Sequence, residues 1–407
     1  MNPSTRVLIL LVVVPALLGA QAPSAASAAP GAITIGRTDT LSSTMLKERR
    51  PYLVYTPPSY NDTTYAPRNY PVLYVLDGAA HFHSVTGLIQ ILGTGVNGTY
   101  AIPEMIVVAI PNTNRMRDLS PTNSTVDMNG KPSTDYPGGG GMENFLRFIS
   151  TELIPHIDSA YRTAPFRVFV GHSLGGITTI NALYTMPEMF NAYVAIDPSL
   201  WWDNRLLLNK AKAYFSVPKP PGRMLYVAQA NTLLADDSLP NGHFGSIVQF
   251  NRVLERYNAS GIRYGFKYYA DNDHGSVPLI AEYDALRFIF DGYNLDMQAV
   301  GTDLSKITDH FARVSARMGY RVTPPEFVID RLSRATATGR DSTKALPMLQ
   351  LNAELYPRSA HAFMSLGDLL ANRKDTSGAR TAYERALAIR PGHVLAREAL
   401  RKLNGGK

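Results

Sequence analysis

Cysteine is absent from all 407 residues, and that one absence removes disulfides, thiolate catalysis and cysteine-ligated zinc together. It is compatible with an oxidising compartment. A concentrated basic segment is missing too. Net charge is +7, but the lysines and arginines are spread along the chain and no nucleic-acid motif accompanies them, so no nucleic-acid partner is expected. No apolar run is long enough to span a bilayer comfortably. The run that comes nearest, Val7 to Leu18, follows Arg6 and precedes small residues with A-x-A sites such as Ala26-Ser27-Ala28. That is the layout of a secretion signal. The expectation is a signal peptide over residues 1–30 and a secreted or periplasmic mature chain beginning between Gln21 and Ile33.

What is present is an ordinary globular composition, 45% hydrophobic, with length for one large domain and a smaller companion. Near-continuous apolar runs at 71–76, 105–110, 168–170, 192–196 and 224–228 read as strands buried on both faces. Strands are also expected over Ile33 to Arg37, Arg49 to Tyr55 and Tyr264 to Tyr269. Helical patterns alternate with them, at Asn144 to Tyr161, Ile177 to Tyr184, Ile247 to Tyr257 and Ser276 to Phe290. Alternation of this kind implies an open, mostly parallel sheet with helices on both faces. Ligands then bind beyond the carboxyl ends of the strands. The polar clusters at 77–82, 111–115, 197–202 and 271–275 all fall there.

One stretch organises the rest. Val168-Phe-Val-Gly-His-Ser-Leu-Gly-Gly176 carries an apolar strand into Gly171-His172-Ser173-Leu174-Gly175 and then into a helix. This strand, turn and helix context is what a G-x-S-x-G nucleophile elbow needs. Ser173 is the expected nucleophile, and the amide of Leu174 points where an oxyanion forms. A second amide is expected from the loop after an earlier strand, at Gly78 or Ala79. A serine hydroxyl needs a base. His274, 101 residues on and in the loop after the last strand, fits the Ser, acid, His order. The acid is sought after the strand at 224–228, where Asp237 is favoured over Asp236. Asp271 or Asp273, or a Ser–His pair with no acid, stay open. Four glycines at 138–141 read as a flexible loop.

Five co-ordered motifs now carry a resemblance. They are Leu73-Tyr-Val-Leu-Asp-Gly78, Asn114-Arg-Met-Arg-Asp-Leu-Ser-Pro121, the elbow, Asp197-Pro-Ser-Leu-Trp-Trp202 and Asp273-His-Gly-Ser-Val-Pro278. Over Ile33 to Tyr293 the chain resembles the putative-esterase branch of the α/β-hydrolases, which includes siderophore (enterobactin-type) esterases and is related to esterase D, feruloyl esterases and mycolyltransferases. The resemblance implies cofactor-free hydrolysis of a small carboxylic ester, with no metal. It departs where many relatives place a glutamate after the seventh strand and this chain has Ala230-Asn231. Arg115, Trp201 and Trp202 are candidates to line the acyl pocket, the arginine facing an anionic or polar group. A structural salt bridge and core aromatics are the competing reading of those three.

Beyond residue 300 only helical patterns occur. Lys344 to Pro357 and Gly378 to Pro391 superimpose at a 34-residue offset, with Ala345 on Ala379 and Pro357 on Pro391. The spacing resembles a short tetratricopeptide array, giving a hydrolase domain at 31–295 and a helical-repeat domain at 300–407. The repeats are expected to pack on their own domain, self-associate or hold a protein partner. Two rivals to the esterase reading are an acyltransferase using the same residues and a secreted binding protein with an inactive hydrolase domain.

Overall fold

The computed structural model describes residues 31, 33–94, 100–219, 221–233, 242–301, 303–338 and 342–405. The signal-peptide expectation lies outside these residues. Eight strands form one sheet: β1 (Arg37–Ser43), β2 (Glu48–Tyr55), β3 (Tyr70–Val75), β4 (Ile106–Ala109), β5 (Thr163–His172), β6 (Ala192–Ile196), β7 (Met224–Ala230) and β8 (Arg263–Tyr269). Their spatial order is β1-β2-β4-β3-β5-β6-β7-β8. The β1–β2 and β2–β4 pairs are antiparallel and all the others parallel. Every residue of β3, β4, β6 and β7 is buried, as continuous apolar runs require in a sheet covered on both faces. Each fully buried large side chain contributes roughly 1.5–3 kcal/mol.

Helix α1 (Gly78–Gly93) follows β3 directly, where the sequence suggests only a polar loop. Helix α2 (Arg115–Leu119) follows β4, and its start is capped by Asn114 Oδ1 on the Arg117 amide. The helical pattern before β5 is observed as α3 (Met142–Phe148), a π turn (Ile149–Leu153) and α4 (Ile154–Ala160). Pro155 lies at the head of α4 and has no N–H to donate, so the regular ladder breaks there. Then come α5 (Leu174–Thr185), α6 (Trp202–Phe215), α7 (Gly242–Arg256) and α8 (Val277–Ile289). Strand order reverses between β3 and β5: the chain moves outward through β4 on one side and through β6, β7 and β8 on the other. The crevice beyond the carboxyl ends of β3 and β5 is therefore the switch point where an open α/β sheet takes its ligand.

The C-terminal part is helical: α9 (Met297–Val300), α10 (Leu304–Met318), α11 (Glu326–Ala337), α12 (Ala345–Leu355), α13 (Ala360–Asn372), α14 (Thr376–Ile389) and α15 (Val394–Leu403). Its helices meet the sheet at the amino ends of β3 and β5, the end opposite the switch point. Tyr320 packs on Phe166 at 6.1 Å between ring centres, and Phe327 packs on Tyr100 at 4.9 Å. The Ala66 amide donates to Glu326 Oε2 at 2.8 Å, and the Tyr65 ring meets His361 edge-on at 5.0 Å. Residues 36–407 accordingly form one compact unit. Residue 300 marks a change of architecture within it. Among the described residues no helix is long and apolar enough to cross a membrane.

Candidate active site

Three residues within two positions of the ends of neighbouring strands have positive φ although none is glycine. Asp77 follows β3 at 52°, Ser173 follows β5 at 61°, and Asp197 follows β6 at 41°. Side chains avoid this region unless the surroundings hold them there, and such strain collects at functional sites. At Ser173 (ψ −116°) the surroundings are glycine. A Cβ on Gly171 would come 2.1 Å from the Gly175 carbonyl oxygen, and one on Gly176 would come 2.9 Å from Pro198. At Gly175 the contact with Leu76 would be an ordinary 3.4 Å. The close approaches that demand glycine are thus at Gly171 and Gly176.

The turn seats Ser173 just ahead of α5. Its amide donates to the Ile196 carbonyl at 2.9 Å, and its own carbonyl receives the amides of Ile177 and Ser199. Its hydroxyl shares a 3.2 Å hydrogen bond with Ser199 Oγ. Leu174 opens α5, so its N–H lacks an intrahelical acceptor and is free to donate. The two amides expected to share this task, those of Gly78 and Ala79, differ in what they already bind. Gly78 N–H is spent on the Ile110 carbonyl at 2.9 Å, and a Cβ there would come 2.6 Å from the Ile110 nitrogen. The next amide, at Ala79, has no backbone acceptor among the described residues.

His274 stands in the loop between β8 and α8, its ring 4.4 Å from that of His172, the residue before the serine. Its Nδ1 donates to Asp197 Oδ2 at 2.5 Å, which leaves Nε2 as the basic nitrogen. The carboxylate on the histidine is therefore Asp197. Asp237 and Asp236 lie outside the described residues. Asp273 Oδ1 is occupied by the amides of Gly275 and Ser276, an arrangement that shapes the loop and leads into α8. Sequence reasoning looked for a carboxylate partner of His274 one strand later, after β7, whereas the bond seen is to Asp197 after β6. The signal it passed over was an aspartate ending an apolar strand, since aspartate tolerates positive φ better than most residues.

Asp197 is fully buried, yet three donors serve it: His274 Nδ1, His243 Nε2 at 2.8 Å on the same Oδ2, and the Ala230 amide at 2.9 Å on Oδ1. Burial alone would raise its pKa, but the bonds from His243 and His274 override it and hold the carboxyl well below the usual range. His172 is driven the other way. Burial, reinforced by His274 and His81, lowers its imidazole to about 4. Beyond it, His81 Nδ1 meets the buried Glu282 at 2.8 Å.

The three proposed pocket residues have other employment. Arg115 grips Asp77 with two bonds, Nε to Oδ1 at 2.6 Å and Nη2 to Oδ2 at 3.0 Å, and Asn112 adds a third at 2.6 Å. It braces the turn that presents Ala79. Trp201 and Trp202 are both buried against Tyr136, and Trp202 Nε1 donates to the Thr122 carbonyl. They are core aromatics, because the chain turns into α6 and carries them under it. Gly141 is the N-cap of α3, and Gly140 donates to the Ser120 carbonyl, so the end of the glycine run is a helix entry.

Comparison with known proteins gives a consistent result. The family described as Putative esterase matches residues 42–233. Ferri-bacillibactin esterase BesA of Bacillus subtilis (strain 168) is 31% identical over 280 residues, covering 65% of this chain and 94% of that protein. A crystal structure of an IroE-like serine hydrolase from Shewanella oneidensis matches with a TM-score of 0.68 and 31% identity, over 79% of this chain and 99% of that one. An uncharacterised protein from Capnocytophaga ochracea DSM 7271 matches over 91% of this chain and 99% of its own, with a TM-score of 0.55 and 16% identity. That last likeness is one of fold alone.

Proposed function

Because this chain belongs to the Putative esterase family and is an ester hydrolase, we propose that it works through an acyl-enzyme on Ser173, with His274 as base and Asp197 as its orienting acid. The observation that carries the proposal is the 2.5 Å bond from His274 Nδ1 to the buried Asp197 carboxylate, beside a serine held at positive φ. In the first half-reaction Ser173 Oγ attacks the ester carbonyl carbon and its proton passes to His274 Nε2. The amides of Leu174 and Ala79 hold the oxyanion. The tetrahedral adduct collapses, the C–O bond to the alcohol breaks, and His274 returns the proton to the departing oxygen. Water then repeats the sequence on the acyl-enzyme and releases the acid. Throughout, Asp197 keeps the tautomer correct and stabilises the imidazolium.

The Ser173–Ser199 hydroxyl bond is a resting arrangement in this account. Catalytic hydrogen bonds often form only once substrate is bound. For substrate we take the ester named for the Bacillus relative, ferri-bacillibactin, as the first to assay. Export directed by residues 1–30 belongs to the same proposal, as does the reading of the two hairpins at 326–389 as tetratricopeptide-like. Replacing Ser173 with Ala should lower kcat on p-nitrophenyl butyrate by roughly three decades or more. A variant hydrolysing at the parent rate would remove Ser173 from the mechanism.

A further inference from the structure

The triad reading uses one nitrogen of His274 and one oxygen of Asp197, and it gives His243 no part beyond its bond to that same carboxylate. His243 is the second residue of α7 and is buried. Its Nε2 and His274 Nδ1 converge on a single oxygen, Asp197 Oδ2, at 2.8 and 2.5 Å. All three ligand-type atoms lie within 4.8 Å of one another. One imidazole on a catalytic carboxylate suffices to orient a base. Two imidazoles and a carboxylate on one point make the donor set of a zinc site, nitrogen and oxygen ligands with room for a fourth.

We propose that Asp197, His243 and His274 form a chelating site for a borderline divalent transition-metal ion, zinc above all, and that filling it switches the esterase off. Ligands on tetrahedral zinc sit about 2.0–2.2 Å from the ion, hence about 3.3 Å from each other. The two contacts at Oδ2 need to lengthen by less than about 1 Å to admit it. His274 can give that room, since its side chain is 42% exposed. Asp197 stays in place, because its other oxygen is anchored by the Ala230 amide; a fixed outer bond of this kind holds a metal ligand in position. A water supplies the fourth ligand.

Occupation inactivates by moving a proton. In the working enzyme the neutral His274 carries its hydrogen on Nδ1 and keeps the Nε2 lone pair for the Ser173 proton. A metal ion takes the Nδ1 lone pair, so the ring's one hydrogen must sit on Nε2, and the base has nothing left to accept with. His243 makes the same exchange, its hydrogen passing from Nε2 to Nδ1. An imidazole that starts protonated releases one proton to solvent. The ion lies behind the histidine and away from the serine, so kcat should fall while KM changes little. This inhibitory half rests on His274 being the base, whereas the binding half does not.

The test uses the full chain in metal-free buffer, titrated with zinc chloride for activity and with cobalt(II) for its visible absorption. Three proteins are compared: the parent, Ser173→Ala and His243→Gln. Glutamine can still donate to Asp197 but does not replace an imidazole on zinc. We expect zinc to lower the parent's kcat reversibly, with EDTA restoring it. Tetrahedral cobalt bands should appear in both the parent and Ser173→Ala. In His243→Gln, measured against its own uninhibited rate, metal affinity should drop by about tenfold or more. Cobalt that stays octahedral in the parent, or equal metal affinity in the parent and His243→Gln, would overturn the site, and zinc that leaves the parent's kcat unchanged would overturn the switch. Tetrahedral cobalt bound to a fully active parent would overturn the switch and, separately, the role of His274.

Discussion

At Asp197 a buried carboxylate stays ionised because three donors outweigh the cost of desolvation. If it orients His274, Asp197→Asn inverts the hydrogen-bond demand on Nδ1 and traps the wrong tautomer. Its kcat should fall by roughly three to four decades while the protein stays folded. Asp237→Asn should leave kcat near the parent value; equal losses in the two variants would unseat Asp197. His172 makes a second residue-scale case. Its imidazole is lowered to about 4 by burial and by facing His274 and His81, with Asp197 and Asp77 opposing. An unfolded histidine titrates near 6.5. Between about pH 6.5 and 4 the unfolded chain therefore binds a proton at this position that the folded chain refuses. Stability then falls as pH drops through that window, by a few kcal/mol for this group. Urea denaturation at several pH values should show a shallower fall for His172→Gln. Parallel curves would mean that His172 titrates normally in the folded state.

At the scale of elements, helix α12 carries a defect that can be removed. Asn352 is fully buried, and among the described residues neither its Nδ2 nor its Oδ1 has a partner. At the 34-residue offset its counterpart in α14 is Ala386, also fully buried. Asn352→Ala deletes two unsatisfied groups and substitutes a better helix former, so it should stabilise the chain by about 1–3 kcal/mol. A lower melting temperature would show that the amide is bonded after all. The same helices illustrate what could be read beforehand. The offset that aligns Ala345 with Ala379 was visible in the sequence, and both alanines are indeed fully buried. Strands β3, β4, β6 and β7 were legible because burial on both faces leaves an unbroken apolar run. Two elements were not. β1 begins at Arg37, where the sequence suggests a strand ending, because an edge strand reading Arg-Thr-Asp-Thr-Leu-Ser-Ser has no apolar signature. Helix α1 was hidden because its N-cap is Asp77 in a left-handed conformation, with no side-chain capping bond to announce it. At the site, the elbow and the late histidine were plain. Asp197 was missed because its bond to His274 depends on β6 lying beside β5, which spacing along the chain does not reveal.

The whole molecule separates two ends of one sheet. The candidate site draws on turns after β3, β5, β6 and β8 at the carboxyl end, while the C-terminal helices grip the amino end. The loop before β3 is held by those helices through Ala66, through Tyr65 and through Thr63, whose carbonyl receives Arg390. This gives the helices a bracing role on their own chain, far from the serine. Reactivity toward acylating and phosphonylating agents should therefore be confined to one serine, Ser173. The most direct test treats the full-length protein with a fluorophosphonate and maps the adduct by peptide mass spectrometry. A single adduct is predicted, on Ser173, formed far more slowly in His274→Ala and in Asp197→Ala. An adduct on any other residue, or one on Ser173 that forms equally fast without His274, would contradict it.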